Sequence, residues 1–153
     1  MSQQTMNRSR QQEINAPFRA KSAGVSLIAV LIIGLYYVAN VISLLPSDEN
    51  VPDGALGLAI TAVVLIAVVE AMLQIVLFIG AGRIEERTER DDTIAAQSVR
   101  NAYLVMTAGV FAAFASMFAE LTPFEMGSLL LTVFLSAEIV KFASQLFYYQ
   151  RSR

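Results

Sequence analysis

The chain has 153 residues, of which 56% are hydrophobic and 16% are charged, with a formal net charge of −2. This composition is too apolar for an ordinary water-exposed surface, so it indicates one small domain in contact with lipid. The chain has no Cys and no His, which excludes disulfides, thiol redox chemistry, the usual zinc sites and His- or Cys-ligated haem.

The N-terminal segment, residues 1–22, is rich in Gln, Asn, Ser and Arg. A segment of this composition buries too little apolar area to offset its ordering entropy, so we predict a disordered tail. No small-residue cleavage pattern closes the apolar run that follows, and we therefore predict no cleaved signal peptide. Residues 23–153 are predicted to form a transmembrane domain.

Four apolar stretches follow the tail, and at about 1.5 Å per residue each is long enough to cross a ~30 Å hydrocarbon core. They cover residues 24–45, 55–81, 101–121 and 124–149. The last two meet at Leu121-Thr122-Pro123. The sequence therefore predicts an all-α integral membrane four-helix bundle with up-down-up-down order.

The distribution of Lys and Arg predicts the orientation of these spans. Four basic residues lie in the tail, four lie between Arg83 and Arg100, and Arg151 and Arg153 follow the last span, whereas the other two loops contain none. By the positive-inside rule, both termini lie in the cytoplasm. We expect a multi-pass membrane protein.

Residues 83–100, between spans two and three, form the largest polar segment within the chain. Glu86 and Arg90 are four residues apart, as are Arg87 and Asp91, which favours a helix with surface ion pairs. We predict a solvated helical connection with Asp92 as the N-cap of the next helix. The Arg residues are interleaved with the carboxylates and no calcium-loop spacing is present, so no metal site is predicted.

Polar residues inside the spans form a predicted layer. Glu70 and Glu138 each lie 14 residues from the outer ends of their spans, Leu56 and Phe124, so both are about 21 Å deep. The other predicted members of the layer are Gln74, Thr107, Lys141 and Gln145. An ionisable residue at such depth costs about 2.5 to 3.5 kcal/mol even on the mild insertion scale.

The interpretation of this layer is open. Glu70 has no partner in its own helix, so it is protonated, bonded to Gln74 or Thr107, or paired with Lys141 across the bundle. Glu138 and Lys141 can neutralise each other, or Lys141 can extend to the interface. With two carboxylates and one ammonium, we expect one protonated carboxylate, and Glu70 is the better candidate. The layer serves either as a structural network or as a proton- or ligand-coupled site.

Small residues four apart recur in spans two and three, where they permit close backbone approach. Packing within one bundle and a homodimer interface are both compatible with this pattern. The members are Gly54, Ala55, Gly57, Ala59 and Ala62 in span two, and Ala108, Gly109, Ala112, Ala113, Ala115 and Ser116 in span three.

Three motifs carry a resemblance to a known family. They are Glu89-Arg90-Asp91, Arg100-Asn101-Ala102-Tyr103, and Ala137-Glu138-Ile139-Val140-Lys141 running into Tyr148-Tyr149-Gln150-Arg151. Over Glu89 to Arg151 the chain resembles a family of uncharacterised four-span bacterial inner-membrane proteins. Members have no assigned catalysis and are sometimes encoded beside a small helix-turn-helix regulator, so the resemblance implies an accessory or regulatory role.

The leading functional hypothesis is a non-enzymatic accessory or regulatory membrane protein that contacts a cytoplasmic protein through Glu86, Glu89 and Arg90. The alternative is a small proton- or cation-coupled transporter or channel that uses Glu70. No catalytic residues and no cofactor are predicted, because no nucleophile with an adjacent base and no phosphate loop is visible. Nucleic-acid binding lacks a basic patch.

Overall fold

The computed structural model describes the backbone of residues 2–45, 50–81 and 89–151, with side chains from residue 20 onward except over 77–81. Its elements are α1 (Ser2–Leu44), α2 (Ala55–Ala81), α3 (Glu89–Ser116), a 3₁₀ turn (Met117–Ala119) and α4 (Pro123–Arg151). All four helices contain a stretch long and apolar enough to cross a membrane. The protein is therefore all-helical, with the features of a multi-pass membrane protein.

Helix α1 begins much earlier than the sequence predicts. It starts at Ser2, so the prediction of a disordered tail over residues 1–22 is wrong for the backbone from Ser2 onward. The first apolar span already supplies a formed helix, and extending a formed helix requires no new nucleation. The Gln, Arg and Glu residues of this segment are good helix formers, which favours the extension.

The bounds of α2 agree with the predicted second span, whereas α3 begins earlier than the predicted third span. The described part of α3 starts at Glu89 and already contains Asp92 in its first turn, so Asp92 is a helical residue and not the predicted N-cap. Acidic side chains in a first turn interact favourably with the helix dipole. Residues 82–88 of the predicted connection lie outside the described part of the chain.

A capping box forms the turn from α3 into α4. The Glu125 carboxylate accepts hydrogen bonds from the Thr122 backbone N–H at 2.7 Å and from the Thr122 hydroxyl at 3.0 Å. The Glu125 N–H donates to the Thr122 hydroxyl oxygen at 3.3 Å. Pro123 occupies the first helical position, where its missing N–H costs nothing. Glu120 has a φ of 57° and ends the 3₁₀ turn in the left-handed conformation.

The apolar core lies between α1, α2 and α4. Its buried members are Val30, Ile33, Tyr37 and Val41 of α1, Ala62 and Ile66 of α2, and Leu135 and Phe142 of α4. The α1 residues recur at three- and four-residue steps, so they form one stripe along the helix. Many large apolar side chains outside this core are exposed, as expected of surfaces that face lipid.

The bundle is open on one side. Helix α4 packs extensively on both α3 and α1, and α2 packs on α1 with a small contact to α4. Among the described residues, no comparable contact joins α3 to α1 or α2. Helix α2 is therefore held mainly by α1, and much of its surface has no protein neighbour.

Small residues allow α3 to approach α4 closely. Ser98, Ala102 and Ala113 of α3 are buried, and a Cβ at Gly109 would lie only 2.8 Å from the Cβ of Val133. Close backbone approach is the means by which helices associate in lipid, where no hydrophobic force drives them together. The small residues predicted in span three thus serve packing within the chain at these positions.

Candidate functional site

An ion triad joins α2 to α4 inside the membrane-spanning region. The Lys141 ammonium contacts the carboxylate of Glu70 on α2 and the carboxylate of Glu138 on its own helix. Lys141 and Glu138 lie three residues apart, so one face of α4 presents both charges. The contact with Glu70 is the only described ion pair between the two helices, and it lies where their packing is otherwise slight.

The three charged side chains of the triad differ in exposure. Glu138 retains 14% and Lys141 18% of their side-chain accessible area, whereas Glu70 retains 37%. The Oε2 atom of Glu138 is fully buried. The Lys141 ammonium forms an ion pair with it, but the angles are not those of a hydrogen bond. Glu138 is thus the enclosed counter-ion of Lys141, and Glu70 closes the triad from its open side.

Packing holds the lysine in this position. The Lys141 ammonium also lies 4.7 Å from the ring centroid of Phe142, whose own side chain is almost fully buried. A cation over an aromatic face gains about 0.5 to 2 kcal/mol, depending on its desolvation. The side chain therefore points to the two carboxylates, and the alternative in which it extends to the interface does not describe this conformation.

The triad contains two carboxylates and one ammonium, so its net charge is −1 if all three groups are ionised. Removing such groups from water costs several kcal/mol per ion, and the mutual attraction offsets this cost only when every group is paired. The arrangement can accept one proton and become neutral. That capacity is the chemistry the site offers most directly.

The structure does not bring all predicted members of the layer together. Gln74 is exposed and Gln145 is half-buried, and neither makes a hydrogen bond to another residue whose side chain is described. Gln74 lies one turn beyond Glu70 on the same edge of α2, so it borders the triad without joining it.

Among the described residues no hydrogen bond joins Thr107 to the triad, so its place in the layer stays a prediction. Thr107 is nine residues from the fully buried Ser98 on α3, and nine residues are two and a half helical turns, so the two face opposite sides. The depth estimate from residue counting considered only rise along the axis. It did not consider the direction of the side chain around the helix.

A second polar cluster, which sequence reasoning missed, ties the start of α3 to the end of α4. The Asn101 amide donates to the Ser144 and Tyr148 hydroxyl oxygens, each at 3.2 Å. The Tyr149 hydroxyl donates to the Asp91 carboxylate at 3.3 Å. These residues lie within or beside the motifs that carry the family resemblance. That overlap is the sequence signal from which the cluster could be predicted. We call these five residues the α3–α4 clasp.

The predicted partner surface is described in part. Glu89 and Arg90 are exposed in the first turn of α3, next to Asp91 of the clasp. Glu86 lies outside the described residues. Within the described ranges no group of three or more His, Cys, Asp or Glu side chains is placed to hold a metal ion.

A cleft of about 370 Å³ opens between α1 and α2 near the loop that joins them, with Asp53 at one end. The Asn40 amide, the Ser43 hydroxyl and the Thr61 hydroxyl line it, but each donates to a carbonyl of its own helix. The Asn40 amide thus donates within its own helix.

Comparisons with protein-family models, with curated proteins and with solved structures found no match for this chain. The family resemblance therefore stays a prediction from its motifs.

Proposed function

We propose that this is a non-enzymatic accessory or regulatory protein of the bacterial inner membrane that acts by contacting a cytoplasmic protein. The observation that carries the proposal is the α3–α4 clasp. It holds the start of α3 and the end of α4 together where these helices extend beyond the hydrocarbon core. The contact surface consists of Glu86, Glu89 and Arg90.

The lengths of α3 and α4 support this proposal. Helix α4 has 29 residues, which span about 43 Å, whereas a hydrocarbon core is ~30 Å thick. Roughly one-third of its length therefore lies outside the core. At the clasped end, hydrogen bonds from Asn101 and Tyr149 hold α3 against α4, so the projecting helices form a pre-organised pair, and pre-organisation lowers the entropic cost of binding.

The proposed orientation places this pair and both termini in the cytoplasm. Its support is the placement of Arg and Lys, together with contacts that fit up-down-up-down order. The Phe124 N–H, at the start of α4, donates to the Asn50 carbonyl just beyond α1 at 3.3 Å. A Cβ at Gly34, further back along α1, would lie 3.9 Å from Ile139, further along α4. This pairing is that of antiparallel neighbours.

Charge reversal on the proposed surface should abolish partner binding. After chemical cross-linking in native membranes and gentle solubilisation, we expect the wild-type protein to recover a stoichiometric protein partner. The triple variant Glu86→Lys, Glu89→Lys, Arg90→Glu should lose this partner. Each reversed side chain then faces a like charge on the partner, and charge complementarity sets both the association rate and the relative position of two binding proteins. Quantitative mass spectrometry of the purified complexes measures the outcome.

The matched control is Glu120→Lys, which reverses one exposed carboxylate at the opposite end of α3. It should leave partner recovery unchanged. A partner lost with Glu120→Lys and retained in the triple variant would place the contact on the other side of the membrane. Recovery of the protein alone, from wild type as well, would overturn the proposal.

A second candidate function is a proton- or cation-coupled transporter or channel in which Glu70 changes its protonation state. The specific observation in its favour is that Glu70 contacts Lys141 while 37% of its side chain stays exposed. A carboxylate at the open side of the bundle can gain or lose its contact with Lys141 without unfolding of the bundle. An ionisable residue within a span is a functional-site hypothesis by default.

Flux measurements in proteoliposomes test this second candidate. Under an imposed pH gradient, wild-type protein should drive uptake of a cationic substrate, and Glu70→Gln should abolish it because an amide cannot titrate. Glu120→Gln, which neutralises an exposed carboxylate far from the triad, should retain the flux. The absence of flux across a panel of inorganic and organic cations would count against a transporter and leave the partner-binding proposal intact.

A further inference from the structure

Helix α2 exposes polar side chains within its apolar stretch. Gln74 is exposed and Glu70 is partly exposed, although residues 71–73 and 75–82 contain no polar side chain. Gln74 belongs to the stretch Ala55–Val76, which is long and apolar enough to cross a membrane, so it lies within the hydrocarbon region. A polar side chain there is costly unless another group satisfies it.

No described part of the chain provides that group. Gln74 lies on the edge of α2 away from α1, and this edge faces the open side of the bundle. The buried residues of α2, Ala62 and Ile66, lie around the helix from Gln74 by about 120° and 80° at 100° per residue. In the monomer, the Gln74 amide and the open side of the triad therefore face lipid.

We infer that a second copy of this chain covers this edge, so that the protein is a homodimer with α2 packed against α2 of its partner. An amide side chain is both donor and acceptor, so two Gln74 residues can satisfy each other. A two-fold axis perpendicular to the membrane brings identical residues together at the same depth. The partner helix would also cover the open side of Glu70 and complete the enclosure of the triad.

The shape of the edge suits this contact. Ala67 and Ala71 are exposed, lie four residues apart and are within about 60° of Gln74 around the helix, so two α2 backbones can approach closely there. Glu70 points toward Lys141 of its own protomer. The two Glu70 carboxylates therefore border the interface and do not face each other directly.

The absence of cysteine makes the inference directly testable by single-cysteine cross-linking. Ala67→Cys and Ala71→Cys introduce thiols on the proposed interface, and Val68→Cys and Met72→Cys introduce them at nearly the same depths, one residue further around the helix. Both control positions are exposed. Oxidation in native membranes should give covalent dimers efficiently at the first two positions and poorly at the controls.

A second variant tests the role of the amide. In the Ala71→Cys background, Gln74→Leu should weaken dimerisation about threefold to tenfold, the range of one interhelical hydrogen bond, and Gln74→Asn should retain part of it. Equal cross-linking at all four positions, or none together with a monomeric mass in native mass spectrometry, would overturn the inference. So would a covalent adduct of Ala71→Cys with a different protein. The outcome does not depend on the cytoplasmic partner.

Discussion

Replacing Lys141 with Met should lower the free energy of unfolding in detergent by about 3 to 5 kcal/mol, because it leaves two carboxylates without their shared counter-ion. Glu138 carries most of this penalty, since its side chain is only 14% exposed. Adding Glu138→Leu to Lys141→Met should therefore restore part of the loss. Thermal unfolding followed by circular dichroism measures all three proteins.

Glu70→Gln is the control for this series. It should leave thermal stability nearly unchanged, because the Glu70 carboxylate is more exposed and Lys141 keeps Glu138 as its partner. If Lys141→Met alone leaves the unfolding temperature unchanged, the lysine does not hold the carboxylates together and extends to the interface. The triad would then have no structural role, and the network interpretation would fail.

Gly109→Ala should separate α3 from α4 and lower stability by about 1 to 3 kcal/mol, the usual cost of overpacking. The added methyl would lie 2.8 Å from the Val133 Cβ and still closer to both Val133 methyl groups. Because these atoms belong to a β-branched side chain, they cannot rotate away freely. Thermal unfolding provides the measurement, as for Lys141.

The second-site variant Val133→Ala should rescue Gly109→Ala in part, since it removes the two methyl groups that clash but keeps the Val133 Cβ 2.8 Å from the added methyl. The matched control is Gly57→Ala on α2, where no atom lies within 4 Å of the added Cβ. It should be neutral or slightly stabilising, because Ala favours a helix over Gly by up to ~1 kcal/mol. Equal effects of the two glycine substitutions would show that helix propensity, and not the α3–α4 contact, explains the result.

Several features of the fold could be read directly from residue order. The bounds of α2 follow from the Gly54 that precedes it and from the long apolar stretch after Ala55, which only Thr61, Glu70 and Gln74 interrupt. The capping box at Thr122-Pro123-Phe124-Glu125 also has a sequence signature, although the prediction recognised only a tight connection there. The helical tail was missed because low apolar content predicts a lack of core burial, and a helix continued from a neighbouring span needs no core of its own.

The sequence by itself determined the number of spans and the residues capable of intramembrane chemistry, because hydrocarbon thickness sets a minimum apolar length and any charge inside that length stands out. Only the tertiary structure decided which of those residues meet. Rise along a helix gives the depth of Glu70, Thr107 and Lys141, but contact also depends on the direction around the helix and on which helices are neighbours. Packing through Gly109 and the α1 core sets that geometry, so Lys141 meets Glu70.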